Sequence, residues 1–157
     1  MSIYTNVIRA RLSDEFAIGQ AYMITRLILG ISFLNAAIWK IFTLTPIGHV
    51  EKYFLSNFHD SWIPNILLWI LGFSIPFFEL IAGIAFCVGF RAREMAFLTG
   101  LLLIVTTYGH SLMNPLYNIT QGLTFSRVVF VLVLLILPDR QDYISIDKLL
   151  LKLQVKQ

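Results

Sequence analysis

Four long apolar runs, separated by short polar segments, dominate the pattern of hydrophobic and polar positions along the chain. The second run, residues 65–90, is apolar almost throughout and would reach about 39 Å as an α-helix. That length exceeds the hydrocarbon core of a bilayer, about 30 Å, so the run predicts a membrane-spanning helix. The predicted spans are about residues 21–42, 65–90, 95–113 and 123–138.

Two amphipathic segments flank these runs. Residues 1–20 mix apolar positions at helical spacing with charged ones, and residues 139–157 combine leucines with lysines four positions apart. Each segment predicts a helix that lies on the membrane surface, with docking of a partner protein as the alternative for the first. Because the loops are short, we predict an all-α integral membrane protein, an antiparallel four-helix bundle over residues 21–138 with short amphipathic ends.

The composition supports this class. Of 157 residues, 57% are hydrophobic and only 13% are charged, which is typical of an integral membrane protein whose principal partner is the lipid bilayer. The basic residues do not gather on a soluble surface, so nucleic-acid binding is not expected. The single cysteine, Cys87, excludes an internal disulfide and a CxxC redox pair.

The distribution of basic residues predicts the topology. With four spans, the N-terminus, the second loop and the C-terminus share one side, which carries eight of the 12 lysines and arginines. Lys52 alone lies in the opposite loops, and the other three are inside spans. The positive-inside rule therefore predicts a multi-pass protein of the cell inner (plasma) membrane with both termini in the cytoplasm.

One carboxylate, Glu79, lies near the middle of the second span. A charge at that depth costs a few kcal/mol, so we expect it to face protein and to have a partner. Gly72, Pro76 and Gly83 share its helix face. Pro76 frees the carbonyl near Gly72 and should kink the helix, and the two glycines permit close approach of a neighbouring helix.

Two arginines are the predicted partners of Glu79. Estimated depths along the spans bring Arg26 and Arg127 within reach of it. We predict that Glu79 is ionised and pairs with Arg26, with Arg127 or with both, in a buried charge network of these three residues. The network is either a purely structural ion pair or a polar site for a ligand or a proton. Lys40 and Arg26 lie near span ends, so extension toward the lipid headgroups is the alternative for both. The face of the first span that carries them consists of Arg26, Gly30, Phe33, Ala37 and Lys40.

His110 lies in the third span. It is suited to hydrogen-bond a quinone carbonyl or to take part in a proton path, and a histidine satisfied within a helix interface is the alternative. The ten-residue spacing of His49 and His59 matches no common metal-ligand pattern, so no metal site is predicted. Haem is not expected, because a six-coordinate membrane haem usually needs two facing ligands and the four spans contain only one histidine.

Several short motifs carry a family resemblance. They are Arg26-Leu27-Ile28-Leu29-Gly30 with Phe33 and Lys40, Glu79-Leu80-Ile81-Ala82-Gly83, Gly89 followed by Arg93, and Ile144-Ser145-Ile146-Asp147. With these motifs, residues 22–147 resemble the DoxX/DoxD-like family of small four-helix membrane proteins. The chain departs from that family before the last motif, where residues 138–142 read PDRQD in place of a glycine-rich turn, and it has one glycine near Glu79 where the family often has two.

The resemblance implies a link to quinones. Some members are small subunits of quinone-reducing assemblies, including thiosulfate:quinone oxidoreductase and a terminal quinol oxidase. By analogy, Arg26, Glu79, Arg93 and His110 are candidates around a quinone. With Arg127 from the charge argument, the candidate quinone-binding residues are Arg26, Glu79, His110 and Arg127, and the expected aromatic walls are Phe33, Trp39, Phe77 and Phe78.

These observations predict a small membrane subunit of a respiratory or redox complex that contributes to a quinone site. Other subunits of that complex would be its partners, and no covalently bound cofactor is expected. The sequence has no independent catalytic motif. The alternative is a non-catalytic accessory or scaffolding subunit whose buried charges are purely structural.

Overall fold

The computed structural model describes residues 2–113, 123–138, 142 and 144–154, and in these ranges it contains helices and no strand. The elements are α1 (Ser2–Ile38), a π-helical turn (Trp39–Thr43), α2 (Pro46–His49), a second π-helical turn (Val50–Leu55), α3 (Ser56–Phe58), α4 (Asn65–Val88), α5 (Ala92–Met113), α6 (Leu123–Ile136) and α7 (Ile146–Gln154). The predicted loop at residues 114–122 lies outside the described residues.

Among the described residues, three helices are long and apolar enough to cross a membrane. They are Asp14–Thr43, Asn65–Val88 and Ala92–Met113, and a shorter apolar helix covers Phe125–Ile136. The predicted spans overlap these helices, and the first apolar helix begins at Asp14 rather than at residue 21. The all-helical class and three membrane-length helices are therefore features of the folded chain.

The first helix differs from the prediction in its continuity. The sequence predicts a separate surface segment before residue 21, whereas α1 runs without a break from Ser2 to Ile38. Its N-terminal half contains one glycine, Gly19, and no proline. One interior glycine costs about 1 kcal/mol, which does not end a long helix.

Helices α1 and α4 pack together at glycines. A Cβ atom added at Gly30 would lie 2.9 Å from the backbone nitrogen of Cys87, and one added at Gly83 would lie 2.8 Å from the backbone nitrogen of Leu34. Neither glycine position has room for a side chain, so the two helix backbones approach closely there, as the sequence predicts for Gly83.

The order of contacts shows that α1 and α4 run in opposite directions. In sequence order along α1 and its π-helical extension, Arg26 meets Phe86, Gly30 meets Gly83 and Lys40 meets Glu79. Helix α6 packs against α1 and α5, and α5 also contacts α4. The side chains buried between these helices are chiefly Tyr22, Leu29, Phe33, Ala82, Phe86, Ala96, Leu103, Val131 and Leu134.

We predict that Gly83→Ala destabilises the fold, because its new methyl group would contact the backbone of Leu34. Overpacking of this kind costs about 1–3 kcal/mol. Gly100→Ala is the matched control: its Cβ would meet only a Val131 methyl group at 3.5 Å, and helix propensity favours alanine. Thermal unfolding of both variants in detergent measures the difference. Equal stability of the two variants would contradict this account of the interface.

Candidate functional site

Glu79 lies on α4, is 4% exposed and forms an ion pair with Lys40. The Lys40 ammonium lies 2.7 Å from Oε1 and 2.6 Å from Oε2 of the carboxylate, so it bonds both oxygens. Lys40 belongs to the π-helical turn that extends α1. The pair therefore joins the end of one long helix to the middle of another.

Arg127 lies beside this pair but contacts it weakly. Its Nη1 is 4.0 Å from Oε1 of Glu79, at the outer limit of an ion pair. Its Nη2 donates a long hydrogen bond, 3.5 Å, to the carbonyl oxygen of Ser32. The guanidinium carbon lies 4.6 Å from the centroid of the Phe33 ring, which is a cation–π contact. Of the two predicted partners, Arg127 is therefore the one that lies near Glu79, at the limit of ion-pair distance.

Of the two predicted partners of Glu79, Arg26 does not pair with it, because it pairs with a different acid. Arg26 is 1% exposed, and its Nε lies 2.9 Å from Oδ2 of the buried Asp142. Lys40, the partner of Glu79, follows Arg26 by 14 residues, which is about 21 Å along a helix. Arg26 is thus level with the end of α4 rather than with its middle.

At that end of α4, the Arg26 guanidinium stabilises the helix terminus. It donates hydrogen bonds to the carbonyl oxygens of Phe86, Cys87 (2.9 Å) and Ile144 (2.6 Å). The last carbonyls of a helix have no partner within the helix, and a cation there also interacts favourably with the helix dipole. Together with Asp142, Arg26 therefore connects α1 and α4 to the segment before α7.

The Ile144–Asp147 motif from the family resemblance lies at the same end. Gly89 ends α4 in the left-handed conformation, with φ of +69°. The backbone nitrogen of Asp147 donates to the Gly89 carbonyl (3.3 Å), and its carboxylate accepts from the Arg91 backbone nitrogen (2.6 Å). The motif thus attaches the start of α7 to the turn between α4 and α5. Arg93, also implied by the resemblance, is exposed there and donates to the Leu135 carbonyl.

Pro76 frees a carbonyl that a histidine then satisfies. Proline has no backbone N–H, so the carbonyl of Gly72, four residues earlier, lacks its helical donor. His49 is 5% exposed, and its Nδ1 lies 2.6 Å from that carbonyl oxygen. Because a carbonyl only accepts, Nδ1 carries the proton. The Gly72 site also leaves no room for a side chain, since an added Cβ would lie 2.8 Å from the Phe54 ring.

Residues 46–63, which we call the cover segment, lie over one end of the long helices. The segment begins after Thr45, whose side chain accepts a hydrogen bond of 3.1 Å from the Gly48 backbone nitrogen. It contains α2, the second π-helical turn and α3, and the bond from His49 to Gly72 fixes it to α4. In this position the cover segment closes a cavity between itself and the helices.

The cavity has a volume of about 400 Å³ and brings together three of the candidate site residues, Glu79, His110 and Arg127. Arg26 does not line it. Its other lining residues include Phe33, Trp39, Lys40, His49, Tyr53, Phe54, Phe58, Trp62, Leu68, Leu71, Ile75, Leu103, Thr106 and Tyr108. Phe33 and Trp39 line it as expected, whereas Phe77 and Phe78 do not. Trp62 is 76% exposed, so the cavity reaches the protein surface beside it.

Three residues that matter here were not assigned these roles from the sequence. The sequence places Lys40 on the helix face that packs against α4, but a lysine near a span end commonly extends to the lipid headgroups. The role of His49 follows from the carbonyl that Pro76 frees, although no sequence signal says which donor fills it. Asp142 lies beyond the last span, where an acid is usually exposed. Within the described residues, no three side chains of the His, Cys, Asp and Glu types cluster as metal ligands would.

Comparison of the chain with protein-family models, curated proteins and solved structures gives no match. The resemblance to the DoxX/DoxD-like family therefore stays a prediction, and so does a ligand-binding role for Arg26, Glu79, His110 and Arg127.

We predict that part of the pH dependence of stability comes from His49. Burial lowers the pKa of this histidine below its usual 6.5, and the nearby Lys40 lowers it further, against opposing effects of the Gly72 hydrogen bond and Glu79. The folded state therefore binds fewer protons than the unfolded state. The contribution of His49 to stability is complete above about pH 6.5 and is lost as the pH falls through its folded-state pKa.

The variant His49→Asn tests this prediction, because its amide can still donate to the Gly72 carbonyl and does not titrate. Between about pH 8 and 5, unfolding temperatures of the unmodified protein should fall more steeply than those of the variant. The other histidines are common to both proteins and cancel in the difference. Parallel pH profiles would show that His49 is not the titrating group.

Proposed function

We propose that this chain is a small integral membrane subunit of a respiratory or redox complex, and that its cavity binds the head group of a quinone. In this proposal α1, α4, α5 and α6 form an antiparallel four-helix bundle in the cell inner (plasma) membrane, with both termini in the cytoplasm. The three membrane-length apolar helices and the distribution of basic residues support this arrangement.

The outer surface of the helices also supports a lipid environment. Large apolar side chains are exposed on the long helices, including Ile31, Ile66, Ile70, Ile81, Phe97, Ile104 and Leu132. So many large exposed apolar side chains on membrane-length helices are as expected for a surface in contact with lipid. Acyl chains would cover these faces and leave the polar groups inside the protein.

The lining and the volume of the cavity are the main support for a bound ligand. Its walls are mainly aromatic and aliphatic, and its volume of about 400 Å³ falls within the range of small-molecule sites. A quinone head group is a flat, apolar ring whose carbonyl oxygens only accept hydrogen bonds. Lys40 and Arg127 supply donors for such oxygens, and the aromatic side chains that line the cavity include Phe33 and Tyr108.

We propose a subunit rather than an independent enzyme because the sequence offers few groups that could carry electrons. Its single cysteine cannot form a dithiol pair, and its spans contain one histidine, which does not suffice for a bis-histidine haem. A quinone bound here would therefore exchange electrons with a centre on another polypeptide. This chain would bind and orient the quinone.

One observation favours the scaffolding alternative. Lys40 already bonds both oxygens of Glu79, and Arg26 is paired with Asp142, so these buried charges are satisfied within the protein. Such pairs are sufficient as structural contacts between helices. In that case the cavity would have no quinone ligand, and binding measurements separate the two functions.

We predict that filling the cavity at Gly109 blocks quinone binding. A Cβ added there would meet only the Phe58 ring at 3.6 Å, so alanine fits at this position and leucine would extend into the cavity. For a short-chain naphthoquinone, Gly109→Leu should raise the Kd by about tenfold or more, and Gly109→Ala by less than about threefold. Quenching of tryptophan fluorescence measures binding, because Trp39 and Trp62 line the cavity.

The unfolding temperatures of both variants serve as the control for folding. An unmodified protein that binds no quinone would overturn the proposed function. Unchanged binding by a folded Gly109→Leu variant would show that the quinone binds elsewhere.

A further inference from the structure

The charged groups of the cavity do not balance. Among its described lining residues, Lys40 and Arg127 are cations and Glu79 is the one anion, which leaves a net charge of +1. The histidines cannot correct this excess, because an imidazole is either neutral or positive. An uncompensated charge in an apolar cavity is costly, so a counter-charge there would be strongly favoured.

Lys40 uses the whole carboxylate of Glu79. Its ammonium lies within 2.7 Å of both carboxylate oxygens, whereas the nearest Arg127 nitrogen is 4.0 Å away. The negative charge is therefore already neutralised by the lysine. Arg127 carries the excess positive charge.

Arg127 also has hydrogen-bond donors to spare. Its Nε is buried, and no acceptor in the described part of the chain bonds it. Its Nη2 makes only the 3.5 Å hydrogen bond to the Ser32 carbonyl. The Phe33 ring attracts the guanidinium through a cation–π contact, which does not use a hydrogen-bond donor. A guanidinium has five N–H donors, and a carboxylate or another oxyanion is the group that matches them.

Among the described residues, no acid other than Glu79 lines the cavity. Glu51 and Asp60 lie in the cover segment, but both are exposed and neither lines the cavity. Residues 114–122, which connect α5 to α6, contain no aspartate or glutamate. The missing negative charge is therefore expected from outside the polypeptide.

We infer that the head group bound in the cavity is an anion, a quinone whose ring bears an ionised hydroxyl, and that this oxyanion lies beside the Arg127 guanidinium. The inference rests on the proposed function and specifies the charge of its ligand. The neutral ring carbonyls would then face the Lys40 side of the pocket, and the apolar ring would contact the aromatic walls.

Two probes of nearly equal size test the inference. They are 2-hydroxy-1,4-naphthoquinone, whose acidic hydroxyl is ionised near neutral pH, and its neutral 2-methoxy counterpart. At about pH 7.5 the unmodified protein should bind the hydroxy probe about tenfold or more tightly than the methoxy probe. In Arg127→Gln this preference should fall below about threefold, while Lys52→Gln, which removes an exposed charge of the cover segment, should retain it.

A second measurement needs no variant, in case Arg127→Gln does not fold. Lowering the pH until the hydroxyl is protonated should remove the preference in the unmodified protein. Protein groups that titrate as the pH falls act on both probes, and their effects largely cancel in the affinity ratio.

The outcomes separate the inference from the proposed function. Equal affinity for the two probes overturns the inference and leaves the quinone site standing, whereas binding of neither probe overturns the proposed function itself. Retention of the preference in folded Arg127→Gln overturns the role of Arg127. Dodecyl phosphate tests the other source of an oxyanion: if it displaces the hydroxy probe and binds more tightly, the native anion is a lipid phosphate.

Discussion

The ion pair between Lys40 and Glu79 is the interaction on which this structure depends. Removing each charge from water costs several kcal/mol, and only close contact with good hydrogen bonds offsets that cost. Lys40 meets this requirement by bonding both carboxylate oxygens. The pair fixes the level at which α1 meets α4, and it forms the polar wall of an otherwise apolar cavity.

The same face of α1 and its π-helical extension links this pair to a second one, about 21 Å earlier along the helix. Arg26 and Lys40 lie at the two ends of this stripe of residues, and Phe33, which contacts Arg127, lies between them. Gly30 and Ala37 complete the face, and both are buried. One helical stripe therefore positions an ion pair at each end, with the glycine contact to α4 between them.

The two ends of the stripe differ in how many arginine hydrogen-bond donors, and how much arginine charge, remain without a partner. At the Arg26 end, the guanidinium engages three carbonyls and one carboxylate, so its charge and most of its donors are used within the protein. At the Lys40 end, Arg127 keeps spare donors and an uncompensated charge beside a cavity. This asymmetry is why the first end is interpreted as structural and the second as a ligand site.

Much of the fold follows from the sequence, because apolar runs of membrane length, the Arg26–Lys40 stripe and the carbonyl freed by Pro76 depend on local chemistry. Which cation pairs with Glu79 cannot be derived from the sequence in the same way. Depth estimates assumed that all span centres share one level, but the contact between Gly30 and Gly83 places α1 so that Lys40 meets the carboxylate. The contacts of His49 and Asp142 depend on segments outside the spans, whose position no periodicity specifies.

A double-mutant cycle on Lys40→Met and Glu79→Gln measures how strongly the two side chains interact, from unfolding free energies determined in detergent. If the two side chains form the buried pair described, each single variant loses stability and the double variant loses much less than the sum. We expect a coupling energy of about 1–3 kcal/mol between Lys40 and Glu79. Additivity within about 0.5 kcal/mol would contradict it.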